Sequence, residues 1–241
     1  MKKNIILLFS FLIIQFAGFN QQLSELKGLD NAHIAEFYIN YLKDGVLLVR
    51  LQKKQRKIDI LTRTGNLADA ENVRQEQLKT NKSIVAAFND KFTFCPTYFF
   101  YSDDSKYVAN NQLDSVTFLD VMLMPKLVKF DSNVNFLTAE FGIIKEDTAL
   151  NYAGNRLDGD YRYYKDSSNR TYKNDYYNGG TNMSFGALLI KSNIFIQLSP
   201  PFPFYARTLA TLPILRRSHN KVVEIMNSKL IAYYERLYGM E

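Results

Sequence analysis

Phe92-Thr93-Phe94-Cys95-Pro96-Thr97-Tyr98-Phe99-Phe100-Tyr101 is the most aromatic run of the chain and carries its single cysteine. It follows a long segment of helical character and ends at Ser102-Asp103-Asp104-Ser105, a cluster of turn-forming residues. A short aromatic run bounded in this way reads as a strand buried on both faces, at the centre of a sheet.

Working upstream, Ala70, Val73, Leu78, Ile84, Val85 and Phe88 mark one side of a polar helix running from Asn66 to about Asn89. A shorter helix with Ile58 and Leu61 precedes it, and Gly65-Asn66 supplies a C-terminal cap followed by an N-cap. The two predict a helical hairpin, weakly packed at its tip. Val46 to Leu51 is almost continuously apolar and reads as a second buried strand. Before it, Ile34, Phe37, Tyr38, Tyr41 and Leu42 recur at helical spacing behind Asp30 or Asn31 as a cap, with Gly45 as the stop.

Downstream, Val116 to Phe130 reads as a short strand, a turn at Pro125 and an extended piece. Residues 135–144 predict a strand. Phe185 to Ile190 and Ile194 to Leu198 predict a hairpin turning at Ser192-Asn193. The prolines of 199–205 predict a rigid extended segment that leaves the ladder. Ser218 or Asn220 caps a final helix bearing Val222, Val223, Met226, Leu230, Ile231, Tyr234 and Leu237 on its buried side. The expected fold is mixed α/β (α+β): a central mixed sheet covered by helices, with an N-terminal helical hairpin and a C-terminal helix.

Residues 1–20 predict a signal peptide. Lys2 and Lys3 precede an apolar run from Ile5 to Phe16, followed by Ala17 and Gly18 and then polar Asn20-Gln21-Gln22. The run is too short to span a bilayer, which takes about 20 apolar residues, so no stable membrane insertion is expected after cleavage near Asn20. Residues 21–241 are expected to form one globular domain, periplasmic or secreted. The formal charge is +6, or +4 without Lys2 and Lys3 (28 basic against 24 acidic residues). The basic residues are scattered apart from 53–57 and Arg216-Arg217, which is too mild a bias to predict nucleic-acid binding.

From 146 to 182 aliphatic residues nearly vanish and Tyr, Asp, Asn and Gly take over. The tyrosines Tyr161, Tyr163, Tyr164, Tyr172, Tyr176 and Tyr177 make this insertion the candidate ligand-binding surface. Flat rings with polar tips suit a glycan or an envelope protein as partner. Its Asp158 and Asp160 do not match a calcium loop.

The chemistry available is narrow. The two histidines, His33 and His219, have no cysteine or histidine at metal-ligand spacing, so no metal site is predicted. A Ser-His-Asp mechanism would have to recruit one of them, and no Gly-x-Ser-x-Gly elbow accompanies either. No glycine-rich phosphate loop is present, and no cofactor is expected. Cys95 is the candidate redox residue; its apolar neighbours argue for an inert thiol. Asn-x-Ser/Thr triplets occur at Asn81, Asn169 and Asn182. The resulting expectation is a non-catalytic binding or structural protein of the cell envelope, with no catalytic residues assigned. The alternatives are a single-cysteine thiol redox protein using Cys95 and a carboxylate-based hydrolase drawing on Glu140, Glu146 or Asp147.

Overall fold

The computed structural model describes residues 30–131, 133–144, 185–209 and 213–239, and the backbone of 162–165 and 171–174. Its five helices are α1 (Asn31–Lys43), α2 (Gln55–Arg63), α3 (Leu67–Lys91), α4 (Ser105–Ala109) and α5 (His219–Tyr238). The strands are β1 (Val46–Leu51), β2 (Thr97–Tyr101), β3 (Phe118–Leu119), β4 (Pro125–Lys126), β5 (Phe136–Ile143), β6 (Arg162–Lys165), β7 (Thr171–Asn174), β8 (Gly186–Lys191) and β9 (Tyr205–Arg207). Seven of them form one sheet in the order β4-β3-β2-β1-β5-β8-β9, and β6 pairs with β7 apart from it. β1 runs parallel to β2 and β5; the remaining pairs are antiparallel. The sheet is mixed and the class is α+β, as the order of elements predicts.

β1 is the middle strand, and five of its six residues are buried. Gly45 admits the chain to it: a Cβ there would run into the backbone carbonyl of Asn135, whose oxygen accepts from Val46 N–H at 2.9 Å. The aromatic run is divided differently from the expectation. Only Thr97 to Tyr101 pair in the sheet, one strand off centre. Phe92 to Pro96 form a link that buries Phe92, Phe94 and Cys95 and leaves Thr93 and Pro96 exposed, because Pro96 has no N–H for a ladder and the amides of Thr93 and Phe94 donate to Asn227 Oδ1 at 2.9 and 3.0 Å.

Each face of the sheet has its own core. Leu47, Val49, Leu51, Phe99, Leu137, Ala139, Leu188 and Ile190 pack under α1, α3 and α5. Val46, Leu48, Phe100, Phe118 and Phe136 pack under the segment carrying Val108, Leu113, Val116, Val128 and Phe130. α1 is capped by Asp30, whose Oδ1 accepts from His33 N–H at 2.9 Å. Its inner face is Ala35, Ile39 and Leu42, with Tyr38 and Tyr41 half-buried. Ile34 and Phe37 flank that face, since the small Ala35 lets the helix sit close to the sheet. The hairpin of α2 and α3 turns at Gly65, with φ +81°. Its tip is held by the small cluster Ile58, Ala70 and Val73.

Two turns differ from the expectation. Between β3 and β4 the turn falls at 120–124, where Asp120 Oδ1 accepts from Met122 and Met124 N–H at 2.8 Å each. Pro125 lies on β4, an edge strand whose outer side needs no N–H. After β8, residues 194–198 make only one bridge, Lys191 with Gln197, because the chain closes a tight loop with Phe195 at φ +63°. The true partner of β8 is β9, reached after the proline segment. Among the described residues no helix is long and apolar enough to cross a membrane.

Candidate functional site

β5 divides the chemistry of the molecule, because successive residues on a strand face opposite sides. Phe141 faces the helical layer and meets the ring of His219 edge-on, with centroids 4.8 Å apart. Across from it, β8 begins at Gly186, opposite Ile143. Gly186 makes room for Thr208: a Cβ would stand 2.8 Å from Thr208 Oγ1, which would have to move. Without one, Thr208 closes onto Gly186, donating to its carbonyl oxygen through N–H at 2.9 Å and Oγ1 at 2.8 Å. A turn at Pro213–Leu215 then leads through Arg216 and Arg217 to Ser218, which caps α5 by accepting from Lys221 N–H. Between β5, β8 and this approach lies a recess of about 310 Å³. Phe141, Ile143 and Ala187 form its apolar side; Thr208, Arg216, Arg217 and His219 form its polar side.

The recess is cationic. None of the described residues lining it is acidic. Arg217 is anchored, with its N–H donating to Thr208 O at 2.9 Å and Nη1 to Arg207 O at 3.2 Å. Arg216 is exposed and forms no ion pair among the described residues. Lys229, on α5, donates to Tyr205 O at 2.9 Å. Burial, with Arg207 and Arg217 nearby, holds its pKa below the usual lysine value. Burial first, and Arg216 second, hold His219 below its ordinary value, so its ring is neutral at neutral pH.

His219 Nδ1 lies 2.8 Å from Ser83 Oγ on α3. A serine beside a neutral histidine is the start of a nucleophile and base, but two further parts are missing. Among the described residues no carboxylate orients the other ring nitrogen. Ser83 also sits inside a 25-residue helix, where backbone N–H groups are committed to the helix and offer no oxyanion donors. The contact ties α3 to α5 and leaves Nε2 for a ligand.

On the opposite face, Glu140 accepts from Arg50 Nη1 at 2.8 Å and from Lys191 Nζ. Arg50 stacks over Phe195 at 5.2 Å, and its Nε is buried without a partner. The trio ties β1, β5 and β8 together on that face.

None of the described residues assigned to a site from the sequence lines the recess. Tyr161, Tyr176 and Tyr177 lie outside the described residues, as do Glu146 and Asp147. The backbones of Tyr163, Tyr164 and Tyr172 belong to the β6–β7 pair, which sets Tyr164 opposite Tyr172. Cys95 is buried in the helical core, and that burial pushes its thiol up to about 12. Asn81 is buried, with Nδ2 donating to Gln52 O at 2.8 Å, and so is closed to glycosylation in the folded chain. Among the described residues no group of His, Cys, Asp or Glu could hold a metal ion. The pair Arg216-Arg217, too mild a cluster in the sequence to predict a partner, is what the fold brings to the recess. Its one sequence signal was position, directly before a capped helix. Comparison with protein-family models, with curated proteins and with solved structures gives no match.

Proposed function

We propose that this chain is an exported, non-catalytic binding protein of the cell envelope whose site is the recess at the start of α5. It takes a small ligand bearing a carboxylate or phosphate group. One observation carries the reading: Arg216, Arg217 and His219 converge on a 310 Å³ recess that no acidic residue lines among the described residues. That volume lies at the lower end of small-molecule sites. Guanidinium groups suit carboxylate and phosphate by charge and by their forked donors. Export rests on the layout of residues 1–20. Binding is favoured over thiol chemistry by the protonated state of Cys95. It is favoured over serine hydrolysis by the incomplete surroundings of Ser83, and over carboxylate hydrolysis through Glu140 by the pairing of that carboxylate with Arg50 and Lys191.

The test is a histidine-resolved NMR titration of the mature protein with acetate, inorganic phosphate and a neutral amide. Saturable shifts of the His219 ring with the anions alone, lost in the Arg216→Ala/Arg217→Ala double variant, are expected. Equal response to the neutral amide, or none to any anion, overturns the reading. Cell fractionation and N-terminal sequencing check export; a full-length cytoplasmic product overturns that part.

A further inference from the structure

The recess is lined by apolar as well as cationic residues. Ile143, on its rim, is 61% exposed, and the turn feeding Arg216 holds Ile214 and Leu215 at 97% and 58% exposure. Large aliphatic side chains at such exposure, next to arginines, are a poor solution for a surface that only has to meet water. Phe141 and Ala187 continue the apolar lining inward. A small hydrophilic anion such as phosphate would engage the arginines and leave all of this surface wet.

Resting on the anion reading above, we propose that the ligand is an amphiphilic acid. Its anionic head lies at Arg216, Arg217 and His219, and its unbranched apolar chain lies over Phe141 and Ile143 toward Ile214 and Leu215. Arg216 is the residue shared by both halves: it ends the apolar turn and opens the cationic one. Charge fixes the head and contributes direction, while burial of chain and rim contributes affinity that grows with chain length.

The experiment is calorimetric titration of the mature protein with acetate, octanoate and octanol, repeated on Ile143→Ser and on Ile214→Ser/Leu215→Ser. These substitutions replace exposed side chains, and unchanged thermal unfolding checks that the variants fold. Octanoate is expected to bind at least about tenfold more tightly than acetate and than octanol, with both serine variants losing most of the gain over acetate. If acetate binds and octanoate binds no better, the anion site stands and the amphiphile is wrong. The amphiphile is equally wrong if the serine variants keep the chain-length gain. If octanol matches octanoate and the double arginine variant changes nothing, the anion reading falls with it. If none of the three binds, both fall.

Discussion

Arg50 and Glu140 stand side by side on neighbouring parallel strands, joined by a 2.8 Å bond from Nη1 to Oε2. Lys191 donates to the other oxygen of the same carboxylate. Two cations thus depend on one buried anion on an otherwise apolar sheet. Removing the shared partner leaves both uncompensated, so Glu140→Gln should lower stability by about 3 kcal/mol. Lys191→Met should cost clearly less, since Arg50 keeps its partner. Urea unfolding of the two variants checks this. Equal losses would mean that the two bonds do not share a common dependence on Glu140.

Asn227 joins the C-terminal helix to the link that follows α3. Its Oδ1 accepts from the buried Phe94 amide and the half-buried Thr93 amide, and its Nδ2 donates to Thr93 Oγ1 at 3.1 Å. Asn227→Ala should therefore cost about 2–4 kcal/mol, the penalty for two amides left without an acceptor. Asn227→Asp keeps an acceptor in place and should cost less. Thermal unfolding of both variants separates lost hydrogen bonds from lost volume, because only the alanine variant leaves the amides orphaned.

Burial also decides the behaviour of Cys95. With its thiol pushed up to about 12, roughly one molecule in 10⁵ carries a thiolate at pH 7. Modification by a small disulfide reagent should proceed only through opening of the core, and its rate should rise with urea in step with unfolding. Fast modification of the native protein would reopen a redox role.

Much of this architecture could be read before folding, and the misses have physical causes. The continuous apolar run of Val46 to Leu51 was legible because a middle strand is buried on both faces. The caps at Asp30, Gly65 and Ser218 were legible because orphan helix-end groups demand particular side chains. The extent of the aromatic strand was not, because Phe92 packs on Phe88 of α3 and Phe94 on Tyr234 of α5 rather than on strand neighbours. The partner of β8 was missed for a similar reason. Ile194 to Leu198 is nearly continuously apolar, like a buried strand, yet Phe195 in the left-handed region turns the chain away. The recess was the least legible part. Its residues come from β5, β8, the end of β9 and the approach to α5, and no spacing along the chain records that meeting.

His219 should make stability depend on pH in a definite direction. Burial holds its pKa in the folded chain below the 6.5 of a free histidine. Between the two values the unfolded chain binds the extra proton and the folded chain does not, so stability falls as pH drops below about 6.5. Ser83→Ala leaves the ring buried and should keep this slope; His219→Asn should flatten it. An anion in the recess works in the opposite sense, because it favours the imidazolium. Octanoate should therefore bind more tightly as pH falls, with proton uptake, measurable as a dependence of the binding heat on the buffer's ionisation enthalpy. A binding heat independent of buffer near pH 6 would place the anion away from His219.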